Sequence, residues 1–139
     1  MNQLEINKEM ELKEKELSSF KRSAHLDIGR RGEEIAKEYL EKKGYKIVEQ
    51  NYKTKYAEID LVAKQKNELV FVEVRTKIGE NFGSPEETIA RKKLRKLFNN
   101  ATAYMARVKW KGSCRIDAVC IVLKNDYSVE RLNHCENII

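Results

Sequence analysis

The residues best suited to chemistry in this 139-residue chain are two carboxylates and an arginine on neighbouring predicted strands. Asp60 lies within the run 58–62, and Glu73 and Arg75 lie within the run 71–75. Both acidic residues stand among apolar residues, where an unpaired charge costs several kcal/mol. Something must therefore neutralise them, and carboxylate oxygens are the ligands that Mg²⁺ prefers.

Two arrangements would make these carboxylates tolerable. In the first, arginines neutralise acidic residues inside or beside the sheet, and the residues concerned would be Arg75, Arg115, Asp60, Glu73 and Asp117. In the second, Asp60 and Glu73 share a divalent cation, Mg²⁺ or Mn²⁺, for hydrolysis of a phosphodiester. The spacing alone leaves both open, because buried ion-pair networks are common.

Strand periodicity indicates how these residues are positioned, because alternate side chains of a strand share a face. It places the polar residues opposite large apolar ones: Glu58 and Asp60 opposite Ile59 and Leu61, and Glu73 and Arg75 opposite Val72 and Val74. The strand patterns cover residues 45–52, 58–64, 69–76, 115–123 and, more weakly, 128–134. The carboxylates Asp60 and Glu73 are therefore expected to lie in one layer of a sheet.

Two helices complete the predicted architecture. The first covers residues 27–43, with Asp27 as N-cap and Gly44 just past its end. The second begins at Ser84-Pro85-Glu86-Glu87, a strong helix start, and runs to about Arg107. The order α-β-β-β-α-β-β predicts an α/β fold with a mixed β-sheet of about five strands flanked by helices.

Helix geometry singles out one further acidic residue. At about 100° per residue, Glu33 falls at the edge of the apolar face beside Ala36, whereas Glu34 points nearly opposite. Gly29 and Gly32 lie on the same apolar face and would let another backbone approach closely. Glu33 is thus a candidate site residue, and the alternative is an ordinary first-turn glutamate favoured by the helix dipole.

The composition divides the chain at about residue 25. Residues 1–24 alternate Glu and Lys, which predicts a charged N-terminal helix or a disordered arm, and residues 25–139 form one domain. The net charge of +6 favours nucleic acid as a partner over a membrane surface. Because the chain has neither an apolar run of membrane-spanning length nor a signal-peptide pattern, we expect a cytoplasmic protein without membrane contact.

Cationic residues crowd the first half of the second helix: Arg91, Lys92, Lys93, Arg95 and Lys96. Contacts from such residues to phosphates would give sequence-independent, salt-sensitive affinity for nucleic acid. A solvated helix face is the alternative, because the five residues cover more than one side of the helix. The loop 76–84 follows the strand of Glu73 directly and is placed to close over a substrate.

Four segments resemble the YraN-like family of poorly characterised small bacterial proteins. They are Gly29–Glu33, Glu58–Leu61, Phe71–Arg75 and Arg115–Asp117, in the family's order and approximate spacing. The resemblance covers about residues 26–123. The family resembles the restriction-endonuclease fold, and within it most closely the archaeal Holliday-junction resolvases, which implies an endonuclease-like domain.

The resemblance also implies a site. The superfamily pattern D…(D/E)-x-K maps onto Asp60, Glu73 and Arg75, with Glu33 as an added helix glutamate, so Asp60, Glu73 and Glu33 would hold the metal. Arg75 replaces the lysine and stays protonated, so it cannot act as a general base, but it can bind the phosphate. Lys77 lies on the same strand face and is a substitute source of an ammonium group.

The resulting hypothesis is a Mg²⁺- or Mn²⁺-dependent endonuclease that acts on DNA. Arg75 gives weight to a second hypothesis, a nucleic-acid-binding module that kept the fold without catalysis. A third is a protein-interaction module whose carboxylates are only ion-paired. Resolvase-type cleavage of two strands would in addition require a symmetric homodimer.

Overall fold

The computed structural model describes the backbone of the whole chain and the side chains of residues 1–19 and 27–139. The elements in chain order are α1 (Gln3–Lys42), β1 (Lys46–Lys53), β2 (Glu58–Gln65), β3 (Glu68–Ile78), a 3₁₀ turn (Glu86–Thr88), α2 (Arg91–Val108), β4 (Ser113–Leu123) and β5 (Val129–Cys135). The predicted order of helices and strands is confirmed.

The five strands form one mixed sheet in the order β1-β2-β3-β4-β5. Neighbouring strands are antiparallel except β3 and β4, which run parallel from Glu68↔Ser113 to Ile78↔Leu123. A parallel pair needs a crossover connection, and α2 supplies it. The mixed α/β architecture with helices on the sheet is as predicted and is compatible with the restriction-endonuclease-like fold.

Two apolar clusters hold the helices against the sheet. On one face, Ala36 and Leu40 of α1 pack with strand residues such as Leu61 and Val72. On the other face, Leu97 and Tyr104 of α2 pack with residues such as Phe71. The central strand β3 thus contributes alternate side chains to opposite clusters, Val70 and Val72 to the first and Leu69 and Phe71 to the second, which is the expected pattern for a strand covered on both faces.

The strands β2 and β3 separate at the middle of the sheet. Their register pairs run from Gln65↔Glu68 to Leu61↔Val72. Beyond that pair, the two strands form a fork. The alternation predicted for β2 fails at this point, because Ile59 packs in the α2 cluster and Leu61 in the α1 cluster. The expectation that Ile59 and Leu61 share a face was wrong, since a strand that diverges from its neighbour loses the regular pleat.

The first helix starts much earlier than predicted. Asn2 caps α1 through a capping box in which its side chain accepts from the Glu5 N–H and the Glu5 side chain accepts from the Asn2 N–H. Asp27 lies inside the helix, so its role as N-cap was wrong. The charged segment before it has many good helix formers and no glycine or proline, so nothing interrupts the helix. Within the described part of the chain, no helix has the length and apolarity to span a membrane.

The start of α2 also differs from the prediction. Ser84-Pro85 opens only the 3₁₀ turn, and Ile89 then adopts an extended conformation before α2 begins at Arg91. Thr88 Oγ1 donates to the Pro85 carbonyl at 2.6 Å, a local bond of the kind that competes with helix continuation. The consequence for the site is that the loop between β3 and α2 is longer than expected.

Candidate metal centre

The fork between β2 and β3 brings three carboxylates together. One oxygen each of Glu33, Glu58 and Asp60 lies within 4.8 Å of the others, and among the described residues these form the one acidic cluster able to hold a metal ion. Glu33 comes from α1 and is half-buried, whereas Glu34 is exposed. The helix geometry therefore selected the glutamate that reaches the sheet.

Glu58 is a member of the cluster that the site prediction missed. Alternation along β2 placed it on the same face as Asp60, and that was the available signal. The superfamily pattern has no position for it, so it was not selected. Asn51 was missed as well: its Nδ2 donates to Glu33 Oε2 at 3.2 Å and to Glu58 Oε1 at 2.9 Å. This amide holds the two glutamates together from the neighbouring strand β1.

Asp60 sits in the fork itself. Its Oδ2 accepts a hydrogen bond from the backbone N–H of Val74 at 2.8 Å, at the level where the β2–β3 ladder has ended. Burial first, and then the negative charges of Glu73, Glu33 and Glu58, together raise the pKa of Asp60 to about 8, against the opposing effect of the Val74 N–H. A carboxyl with this pKa holds a proton at neutral pH until a cation takes the proton's place.

Glu73 approaches the fork from the face of the sheet that α2 covers, whereas Glu33 approaches it from the face that α1 covers. It is only 3% exposed, and its Oε1 lies 3.0 Å from Arg75 Nε and 3.4 Å from Lys93 Nζ. The Arg75 N–H does not point at the carboxylate, so that contact is an ion pair without a hydrogen bond. Glu73 Oε2 is buried and has no hydrogen-bond partner among the side chains that the structure describes. A buried carboxylate oxygen without a partner is costly unless a ligand satisfies it.

The ion-pair arrangement and the metal-site arrangement expected from the sequence are thus each found in one part of the site. Glu73 is ion-paired through Oε1, as the first arrangement required. Asp60 is not paired with a cation in the described residues but is grouped with Glu33 and Glu58, as a metal site would require. Asp60 and Glu73 remain close enough for Glu73 to raise the pKa of Asp60.

Cationic groups surround the carboxylates. Lys93 was expected to contact phosphate from the helix surface, but α2 directs it into the site, where it meets Glu73. Arg75 and Lys77 share a cleft of about 260 Å³ with Glu33, and β3 extends to Ile78, as the role suggested for Lys77 required. The remaining basic residues at the start of α2 are exposed, namely Arg91, Lys92, Arg95 and Lys96.

The other predicted acidic residue, Asp117, belongs to a separate buried network. Its two oxygens accept from Arg115 at 2.8 and 3.0 Å, and the Asn137 N–H and His134 Nε2 complete its contacts. Burial alone would raise the pKa of Asp117, but the hydrogen bonds from His134 and Arg115 hold it below its ordinary value. Both oxygens are satisfied, so this carboxylate fits the ion-pair arrangement and has no valence left for a metal.

Comparisons with known proteins find relatives over most of the chain. The sequence profile of the uncharacterised protein family UPF0102 matches residues 32–121. The chain is 43% identical over 112 residues to a UPF0102 protein of Caldanaerobacter subterraneus subsp. tengcongensis, covering 79% of this chain and 92% of the relative. It is 45% identical over 106 residues to one from Thermotoga petrophila, covering 76% and 91%. The match to the profile includes all four carboxylates around the fork.

Proposed function

The chain belongs to the uncharacterised protein family UPF0102, the YraN-like proteins, and we propose that it is a divalent-metal-dependent endonuclease that hydrolyses DNA phosphodiesters. The observation that carries this proposal is the buried, unpartnered Oε2 of Glu73 beside the three clustered carboxylates of Glu33, Glu58 and Asp60. Carboxylate oxygens are hard donors, and a group of them beside a carboxylate oxygen without a partner fits Mg²⁺ or Mn²⁺.

Asp60 and Glu73 would hold the metal, with Glu33 and Glu58 as further ligands or as acceptors for its bound waters. A divalent cation at such a site supplies an activated water and neutralises charge on the phosphate. Asn51 positions Glu33 and Glu58 through its two hydrogen bonds. The cluster is therefore held in place even before an ion enters, which lowers the cost of ordering the ligands.

The cations beside the carboxylates would bind the substrate. The Arg75 guanidinium is suited to a phosphate oxygen pair, and it stays protonated at any working pH. Lys93 brings an ammonium group to Glu73 from α2, at 3.4 Å, and is better placed for the missing lysine of the superfamily pattern than Lys77. The exposed basic residues of α2 would contact the neighbouring phosphates of the strand.

One observation favours the second candidate function, a nucleic-acid-binding module without catalysis. Glu73 Oε1 already has two cationic neighbours, Arg75 and Lys93, and this ion pairing reduces the charge available to a metal. In such a module the basic residues would bind DNA and the carboxylates would only maintain the fork. The two functions differ in whether the fork binds a divalent cation.

Calorimetric titration with Mg²⁺ and Mn²⁺ tests the difference. We expect wild-type protein to bind the ions, Asp60→Asn and Glu73→Gln to lose binding, and Glu33→Gln to bind more weakly. Glu34→Gln is the matched control, because Glu34 is the adjacent glutamate but is exposed on the other side of α1. It should bind as wild type does.

Nicking assays on supercoiled DNA with the same variants connect binding to cleavage. Metal-dependent nicking by wild-type protein and Glu34→Gln, with none by Asp60→Asn, is the expected result. If Glu33→Gln and Glu34→Gln bind the ions equally well, Glu33 and its acidic cluster do not take part in metal binding. Wild-type protein that binds DNA but no divalent ion would instead establish the non-catalytic module.

A further inference from the structure

The loop between β3 and the 3₁₀ turn presents a phenylalanine to solvent. Phe82 is 98% exposed, which is more than any other large apolar side chain in the described residues. A single exposed apolar residue is common on protein surfaces and by itself needs no explanation. What distinguishes Phe82 is how firmly its loop is held and what lies beside it.

Ion pairs fix both ends of this loop. Arg131 of β5 contacts Glu80 at 2.6 Å and Glu86 at 2.7 Å, so one guanidinium ties the residues on either side of Phe82 to the sheet. Asn133 adds a hydrogen bond to Glu86 at 3.0 Å. The loop is therefore anchored to the edge strand at its two ends, while the phenylalanine between them remains uncovered.

The backbone around Phe82 is also defined. Gly83 has a φ of +102°, a conformation that side chains disfavour, and a Cβ there would lie 2.7 Å from Glu87 Oε2. Lys77 Nζ donates to the carbonyl of Phe82 at 3.5 Å. A residue whose carbonyl contacts a cation of the candidate site cannot be far from that site.

The end of this loop and the 3₁₀ turn after it form one wall of the candidate cleft. Pro85 and Thr88 line it together with Glu33, Arg75 and Lys77. Phe82 thus stands next to a cleft that combines one carboxylate, Glu33, with the cations Arg75 and Lys77. A ligand that would satisfy this combination carries negative charge for Arg75 and Lys77 and an aromatic face for Phe82, and a nucleotide with an unstacked base has both.

We propose that Phe82 stacks on an unpaired base next to the phosphate bound in the cleft, so that the preferred substrate is DNA with an unpaired nucleotide near the cut. This inference rests on the proposed DNA-directed function of the same site. Bases inside an intact duplex are already stacked on their neighbours and offer no free face. An unpaired base offers one, and stacking accepts any base because every base has a π-face.

Fluorescence anisotropy in EDTA, which prevents cleavage, tests the proposal with two DNA probes. One is a fully paired duplex and the other is the same duplex with a single unpaired nucleotide in one strand. Wild-type protein should bind the second probe about 5- to 100-fold more tightly than the first, the range that base–aromatic stacking gives. Phe82→Leu keeps the apolar bulk and should lose this preference, whereas Phe82→Trp keeps an aromatic face and should retain it.

The affinity for the paired duplex should be equal in wild type, Phe82→Leu and Phe82→Trp, because phosphate contacts provide it. A preference that persists in Phe82→Leu would overturn the stacking role and leave the proposed function intact. The same holds if wild type does not distinguish the two probes. If no variant binds either DNA, the proposed function fails and this inference fails with it.

Discussion

At the scale of single residues, Asp60 connects the fold to the proposed chemistry. Its carboxyl group accepts the Val74 N–H and is surrounded by three other carboxylates that raise its pKa. The protonated form is stable in the metal-free protein because burial penalises the charged form. A cation would reverse this preference, since it stabilises the carboxylate.

The raised pKa predicts how the stability of the metal-free protein depends on pH. The pKa of Asp60 is about 8 in the folded state against an ordinary value of 3.8. Between these values the folded protein holds a proton that the unfolded chain releases, so the free energy of unfolding falls as the pH rises from about 4 to about 8 and then levels off. Urea denaturation in EDTA should show this fall in wild type.

Asp60→Asn is the control, because an amide cannot titrate but can still accept the Val74 N–H. The difference in the free energy of unfolding between wild type and this variant should change by more than about 1 kcal/mol between pH 5 and pH 9, in the direction that favours the variant at high pH. Parallel pH profiles for the two proteins would show that Asp60 titrates normally.

At the scale of elements, the contact between α1 and β3 sets the position of Glu33. Gly32 precedes it, and a Cβ at Gly32 would lie 1.8 Å from Thr76 Oγ1 and 2.8 Å from Thr76 Cβ. Rotating the threonine would move its oxygen but not its Cβ, so the helix itself would have to shift. The glycine therefore determines how closely the helix, and with it the Glu33 carboxylate, approaches the fork.

This close approach predicts opposite effects for two glycines of the same helix. Gly32→Ala should destabilise the protein by about 1–3 kcal/mol through overpacking. The close approach expected at Gly29 was wrong, because a Cβ there meets nothing within 4 Å in the described residues. Gly29→Ala should therefore stabilise the protein by about 0.5–1 kcal/mol, because alanine is the better helix former. Chemical denaturation of both variants measures the difference. Equal effects of the two substitutions would contradict the close contact at Gly32.

The elements also show what the sequence could predict and where it could not. Strand and helix order followed from periodicity, and Glu33 followed from helix geometry, because those patterns are local. The fork could not be predicted from local patterns, because the divergence of β2 from β3 is a tertiary feature, and this divergence breaks the alternation at Asp60. Lys93 as a neighbour of Glu73 was missed for the same reason: it depends on how α2 packs across the sheet, which the sequence of α2 alone does not contain.

Capping signals failed in both helices. At Asp27 the preceding segment was already a good helix, so a residue that favours an N-cap became an interior one. At Ser84 the local hydrogen bonds formed only a 3₁₀ turn. Burial in α2 does not follow hydrophobicity either: Phe98 is 51% exposed, while Asn100 is buried and accepts a hydrogen bond from Thr54. A polar partner in the β1–β2 connection can reverse the burial expected from hydrophobicity.

At the scale of the whole molecule, the net charge of +6 matters through its distribution. The start of α2 concentrates exposed cations near the candidate cleft, whereas many acidic residues are engaged in ion pairs or in the fork. If the proposed function holds, binding of DNA should release counterions in proportion to the contacts that these cations make with phosphates.

The dependence of DNA affinity on salt measures the number of contacts. Replacing Arg91 and Arg95 together by glutamine should reduce the slope of log K against log salt by about 1.8, which corresponds to two lost phosphate contacts. Lys66→Asn is the control, because Lys66 lies in the β2–β3 turn, about 23 Å along β3 from Arg75, and asparagine tolerates its φ of 55°. A change of slope of about 0.9 in the control, which removes one charge instead of two, would indicate diffuse attraction by net charge.

The hydrogen bond between Asp60 and Val74 has a consequence for genetics. An allele that replaces Asp60 by a residue unable to accept this bond removes a candidate ligand and also releases the end of the β2–β3 ladder, so its phenotype mixes lost chemistry with reduced abundance. Alleles that change Glu33 or Glu58 leave the hydrogen bond from the Val74 N–H to Asp60 intact. They are the separation-of-function alleles through which the cellular role of the site is best isolated.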